Sequence, residues 1–406
     1  MRARLWAYPW DILDEGPAAV MERVADAGFD EVSVAMLYHG GMLLLPHNPR
    51  RKVYFPEGGV TYFVPDRERY LDDAPGIEPQ GGKALRPVAS RLTQEGDPLS
   101  RICQAAAARG LATVAWVVCL HNSRLGLEDP TVTLENAFGD HYPYALCPSK
   151  RRVGVFLERL VADLSSRYEL AGIELEALYH QSYPHQWSHP KEGAHRTTLD
   201  GHLLSLCFCT DCMAAATARG VNADAVRMSV CSLLHSGLGG SATGPCAEAA
   251  TFTTKELDAL IPEVSAYLAT RTDVVTALLE KLCAASQVAI HGIIGSGLLG
   301  REHWSGIALH NWAAKCHSLT VNCYQPGSYA SVKEEIAQAR RQVGESSLYV
   351  GLQATWPHVD AASKLSNRVR AASAAQANGI AIYNYGLMPL RHIDWVKSAL
   401  AEVRND

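Results

Sequence analysis

The chain of 406 residues is 48% hydrophobic and 19% charged, a globular balance that excludes a disordered protein. Its net charge of −5, pI near 6.3 and lack of a polybasic stretch argue against nucleic-acid binding. The segment Met1–Asp11 lacks the apolar core of a secretory leader, and no run approaches the roughly 18 apolar residues that span a bilayer. The expectation is a cytoplasmic protein with no membrane partner.

From the N-terminus onward, short apolar runs alternate with amphipathic stretches, as repeated βα units require. Strands are expected at Arg4–Pro9, Glu31–Tyr38, Ala112–Leu120, Gly172–Leu178, Val288–Ile294, Ser318–Tyr324, Leu348–Gln353 and Gly379–Tyr383. Each is nearly continuous in apolar residues, which suits strands buried on both faces. Helices are expected near residues 16–28, 99–110, 150–168, 253–285, 303–315, 330–343, 360–377 and 390–403. Strict alternation predicts an α/β fold, a closed (β/α)₈ TIM barrel formed by residues 1–406 as one catalytic domain. No Gly-x-Gly-x-x-Gly follows the first strand, so the usual mark of a dinucleotide-binding sheet is missing.

Two insertions interrupt the pattern, residues 39–98 after strand 2 and 179–252 after strand 4. Both follow strands, on the face where barrel enzymes build their sites. The Gly/Ser-rich stretch 236–244 reads as a flexible loop.

Cys207, Cys209 and Cys212 form a C-x-C-x-x-C cluster in the second insertion. Three thiolates so spaced can converge on one tetrahedral Zn²⁺, with Cys147 as the candidate fourth ligand and insertion histidines as alternatives to it. Four thiolates leave no open position, so such a zinc is structural. Reduced buried cysteines or a redox pair are the competing reading. Cys103, Cys119, Cys231, Cys283, Cys316 and Cys323 sit in apolar surroundings and read as small buried hydrophobes.

The order Cys147-Pro148-Ser149, then a carboxylate-bearing strand, then Cys-x-Cys-x-x-Cys resembles the catalytic domain of the family 42 β-galactosidases. The resemblance covers roughly residues 145–215 and implies a (β/α)₈ glycoside hydrolase with a zinc cluster near its active site. It breaks in two places. Leu175-Glu176 stands where the family has Asn-Glu, with that Glu as acid/base. Strand 7, which carries the family's nucleophilic Glu, has no carboxylate here. Strand 4 also resembles the Asp-x-Asp-x-Glu strand of family 18 chitinases, but Leu178 stands in place of their acid.

Within Gly172–Leu178, alternation places Glu174 and Glu176 on one side and Ile173 and Leu175 on the other. If the apolar pair faces the helices, both glutamates project into the barrel, Glu176 nearer the mouth. Two carboxylates that close push one pKa upward, as a general acid requires. The bland alternative is a structural pair salt-bridged to an arginine such as Arg124.

Several strand ends carry groups suited to a small carbohydrate: Tyr8 and Asp11, His39, His121, Asn122 and Arg124, Tyr324 and Gln325, Gln353 and Trp356, and Tyr383 and Asn384. Aromatic faces cover sugar rings, while amides, imidazoles and guanidinium groups take hydroxyls. His180, His185, His189 and His195 crowd the loop after strand 4; His180 is the one expected to reach substrate. A second metal on Glu176 and these histidines would turn the chemistry toward sugar isomerisation or metal-assisted hydrolysis.

These readings predict a glycoside hydrolase-like enzyme with Glu176 as general acid/base and Glu174 tuning it. Asp11, Glu302 and Asp360 are the acids available as a second carboxylate. A metal-dependent sugar isomerase or epimerase, and a non-catalytic sugar-binding barrel, are the alternatives. A homo-oligomer is compatible with the sequence.

Overall fold

The computed structural model describes residues 1–71, 83–183, 185, 189–194, 196–238, 252–324 and 329–405. Eight parallel strands close into a barrel: β1 Arg2–Ala7, β2 Glu31–Tyr38, β3 Ala112–Val118, β4 Gly172–Glu176, β5 Ala289–Ile294, β6 Ser318–Asn322, β7 Leu348–Gln353 and β8 Gly379–Tyr383. Each pairs with the next, and β8 returns to β1 with Arg4 opposite Ala381. The outer layer is α1 Pro17–Asp26, α2 Pro98–Ala107, α3 Arg151–Arg167, α4 Val264–Ala285, α5 Leu309–Lys315, α6 Tyr329–Val343, α7 Ala362–Ala374 and α8 Arg391–Asn405. In α3, Val153, Phe156, Leu157, Leu160, Val161 and Leu164 recur at three- and four-residue steps and are buried, so helical periodicity alone presses one face on the sheet.

Four strands end earlier than their apolar runs. Pro9 opens a short helix, Pro9–Glu15, where its missing N–H costs nothing, so β1 stops at Ala7. Ala177 adopts φ 56° and turns the chain out of β4 directly after Glu176. The regular strand β3 ends at Val118 rather than Leu120, and β6 at Asn322 rather than Tyr324.

The lower barrel is plugged by charge rather than by hydrocarbon. Arg4 is fully buried and bridges Glu31 at 2.6 Å and Glu174 at 2.5 Å, with Tyr349 stacked 4.8 Å from its guanidinium. Trp6 donates its indole N–H to Glu174 at 2.8 Å, and the Ser33 and Thr320 hydroxyls complete that carboxylate's partners. A buried ion pair is tolerable only when satisfied to this degree.

The insertion after β4 builds its own apolar cluster from helices Thr198–Leu204, Thr210–Ala218, Ala223–Leu238 and Thr254–Leu260 against α4. Ser236–Leu238 of the expected flexible loop end a helix; residues 239–244 lie outside the described residues. A hairpin of Thr133–Glu135 and His141–Leu146, not expected from the sequence, leads into Cys147. Among the described residues no helix is long and apolar enough to cross a membrane.

Candidate active site and cysteine cluster

Side chains alternate along each strand, so the inward set two residues above the Arg4–Glu174 layer forms the wall of the mouth. There a cavity of about 210 Å³ is lined by Trp6, Tyr38, His39, Trp116, Glu176, Ile293, Asn322, Tyr324, Gln353 and Tyr383. Glu176 accepts the Trp116 indole N–H at 2.7 Å. Burial lifts its carboxyl to about 7, against the pull of that hydrogen bond, and the negative Glu174 below adds to the rise. Near neutrality Glu176 is therefore poised between acid and carboxylate. Asn322 Oδ1 and Gln353 Oε1 have no partner among the described residues, leaving acceptors for hydroxyl donors. Gly351 leaves the space that the Asn322 amide fills.

Glu176, His39, Tyr324, Gln353 and Tyr383 are thus brought together as expected residues of one cavity. The others stand elsewhere. Glu174 lies in the barrel but is fully buried and held by Arg4, not by Arg124, which pairs with Glu128 at 3.7 Å. Tyr8 is fully buried behind the wall, its hydroxyl bonded to those of Tyr38 at 2.8 Å and Tyr383 at 2.7 Å. Asp11 is also fully buried, turned away by the Pro9–Glu15 helix, and accepts from Asn48 at 2.8 Å. Asn122 caps helix Ser123–Glu128, and buried Asn384 binds the Gly386 N–H at 3.0 Å. His121 stacks on His39 with ring centres 4.5 Å apart and bonds His185 at 3.0 Å, forming a rim outside the lining. Trp356 is 78% exposed, and His180 lines a different cavity. Gln325 and His195 lie outside the described residues. Trp6, Trp116, Ile293 and Asn322 were missed, although stepping back two residues from Tyr8 and Tyr324 gives Trp6 and Asn322.

The four expected cysteines meet. Cys147, Cys207, Cys209 and Cys212 are all buried, and their sulfurs lie within 4.8 Å of one another. Cys147 Sγ is 3.7 Å from Cys209, 3.6 Å from Cys212 and 3.8 Å from Cys207. A tetrahedron with ligand bonds of about 2.3 Å has edges of about 3.8 Å. The hairpin delivers Cys147, and Phe208 N–H bonds Glu135 O at 2.7 Å to hold the knuckle against it. The Glu135 N–H donates to Cys207 Sγ at 3.4 Å, and the Ser149 hydroxyl lies 3.1 Å from Cys212 Sγ. These residues could hold a metal ion. Among the other cysteines expected to be buried, Cys119, Cys316 and Cys323 are; Cys103, Cys231 and Cys283 are partly exposed.

No family model and no curated relative matches the chain. Solved structures do match it. The barrel is similar to those of glycoside hydrolases. The whole chain aligns with the β-galactosidase of the psychrophilic Marinomonas ef1 at a TM-score of 0.58 and 9% identity, and spans 60% of that enzyme's length. The catalytic domain of β-amylase from Paenibacillus polymyxa gives a TM-score of 0.57 at 13% identity, over 99% of this chain and 98% of that one. For α-L-fucosidase isoenzyme 2 from Paenibacillus thiaminolyticus the TM-score is 0.54 at 13% identity, over 100% of this chain and 49% of that one. At such identities the likeness carries the fold alone.

Among the described residues, Glu176 is the single carboxyl of the cavity lining. Asp360 is on the surface with Lys364 at 2.8 Å, Glu302 binds Gln342 at 3.1 Å, and Asp11 is sealed behind the wall. None of the three completes a carboxylate pair. Gln353 occupies the end of β7 and cannot ionise. Burial raises the phenols of Tyr38, Tyr324 and Tyr383, which keeps them neutral donors rather than nucleophiles. Burial also lowers the His39 imidazole, so it faces the cavity uncharged.

Proposed function

We propose that the chain is a glycoside hydrolase-like enzyme acting on a small carbohydrate or glycoside, with Glu176 delivering a proton to the departing oxygen. The observation that carries this reading is Glu176 itself: one carboxyl, raised to about 7, in a cavity walled by aromatic rings and unpartnered amide oxygens. Glu174 tunes it through space from the layer below. With no second carboxylate in the lining, the proposal is for water attack without a glycosyl-enzyme intermediate, and His39 is the neutral base within the same cavity.

The sulfur spacing supports a structural Zn²⁺ held by Cys147, Cys207, Cys209 and Cys212. It would cross-link the insertion to the barrel; it has no part in bond cleavage. A metal-dependent isomerase would need another ligand group, and the four cysteines are the only such group among the described residues.

The lone carboxyl also favours a second reading, a barrel that binds sugar without cleaving it. Nitrophenyl glycosides assayed with the wild type and Glu176→Gln separate the two. Turnover lost in Glu176→Gln supports the enzyme; equal rates remove Glu176 from the mechanism. Sugar binding of equal affinity in both, with no turnover in either, supports the binding barrel.

A further inference from the structure

A second cavity, of about 280 Å³, opens beside the first between the insertion after β4 and the loop after β5. Its wall is basic and rich in hydrogen-bond donors. Arg196 and Arg301 line it together with His180, His202 and Trp304. Behind Ser205, another lining residue, lies Arg271, which is 2% exposed and donates to the Ser205 carbonyl at 3.2 Å. We propose that this cavity binds a small oxyanion: phosphate, sulfate, or the carboxylate or phosphate of an acidic sugar.

Three observations carry the proposal. First, buried polar atoms are left over: among the described residues, His180 (1% exposed), His202 Nε2 and Arg196 Nε of the lining make no side-chain hydrogen bond of ordinary geometry, nor do Nε and Nη1 of Arg271 behind it, and each neutral imidazole has one N–H to offer. Buried polar atoms are nearly always satisfied, so a concentration of orphans around one void asks for a ligand.

Second, the acids nearby are already committed. Asp200 closes a capping box on Thr197, Glu302 accepts from Gln342, and Glu192 reaches only one edge of Arg196, at 3.5 Å. Arg301 has no ion pair among the described residues. The four cysteines do not line the void.

Third, side chains of the wall are placed rather than free. Gly201 offers no Cβ, and a methyl there would collide with Arg196 Nη1, so the arginine packs against that glycine of helix Thr198–Leu204. Trp304 stacks on His202 with centres 4.6 Å apart and planes 7° from parallel, fixing the imidazole. Planar forks held in this way suit the paired oxygens of a phosphate or carboxylate. The site does not rest on the role given to Glu176.

The test is calorimetry and thermal denaturation of the full chain with sodium phosphate, sodium sulfate, glucuronate and galactose, each against sodium chloride at matched ionic strength. The expected result is saturable binding of at least one of the three oxyanions, with a rise in melting temperature. Arg301→Gln should weaken it at least tenfold, and Gly201→Ala should weaken it by displacing Arg196. Glu176→Gln should bind the anion unchanged, which separates this site from the proposed active site. Phosphate or sulfate alone assigns it to phosphoryl or sulfuryl groups; glucuronate assigns it to carboxylates. No oxyanion binding above chloride, or equal binding in natively folded Arg301→Gln and Arg196→Gln, overturns the proposal. So does galactose bound as tightly as the anions.

Discussion

Trp116 and Glu176 face each other across neighbouring strands, indole N–H to carboxylate at 2.7 Å. One layer below, Glu174 also accepts an indole N–H, from Trp6 of the non-adjacent β1, at 2.8 Å. The two glutamates differ in what else they meet. Glu174 has Arg4; Glu176 has no ion pair among the described residues and opens to the cavity.

That difference sets a pH dependence. Above about 7 Glu176 loses the proton it is proposed to donate, so kcat/KM should fall along an alkaline limb near that value. Trp116→Phe removes the hydrogen bond that favours the charged form and should move the limb upward. Glu174→Gln removes the like charge and should move it downward. A pH–rate profile that ignores both substitutions would exclude Glu176 as the titrating group.

Stability should follow the same group with a defined sign. Glu176 titrates higher in the folded chain than its usual 4.5, so its contribution is intact below about 4.5 and is lost as pH rises through about 7. That interval corresponds to at most about 3 kcal/mol, reduced by the side chain's opening to the cavity. Glu176→Gln cannot ionise. Urea unfolding should find it more stable than the wild type at pH 8 and indistinguishable at pH 4.

Removing Glu174 leaves the buried Arg4 with Glu31 as its remaining carboxylate and leaves the Trp6 indole N–H without its acceptor. Glu174→Ala should cost about 3–5 kcal/mol in equilibrium unfolding. A cost below about 1 kcal/mol would show that Glu31 alone suffices to compensate the Arg4 charge.

Metal analysis should find one zinc per chain. Cys209→Ser should lower the zinc content and the melting temperature together, because ligand binding and folding of the knuckle are one process. Full zinc retention in that variant would discard the four-cysteine site.

Gly386 packs directly on the Asp11 carboxylate, where any Cβ would overlap Oδ2. Gly386→Ala should destabilise by about 1–3 kcal/mol, read from denaturant midpoints. An unchanged midpoint would show that this buried acid can move.

The barrel was legible because parallel strands under a helical shell are apolar on both faces, and eight such runs stand out between amphipathic segments. What the pattern could not show was where pairing stops. Apolar character continues through Ala177 and Leu178 while the backbone has already turned, and Pro9 converts an apparent strand end into a helix. Residues past such points lose the alternation that gave them a direction. Tyr8, Asp11 and Asn384, expected at the mouth, are fully buried and absent from the lining, whereas Tyr324, Gln353 and Tyr383 line it. The cysteines were readable because their spacing is itself a ligand geometry. The hairpin that delivers Cys147 was not, since its short strands carry no periodic signature.

The charged plug beneath Glu174 makes the cylinder a blind well. Arg4, Glu31 and Glu174 close the lower end, with Arg2 bound to Glu31 at 2.7 Å on the outside. Anything admitted at the mouth must leave by the same route, so entry and release share a single opening.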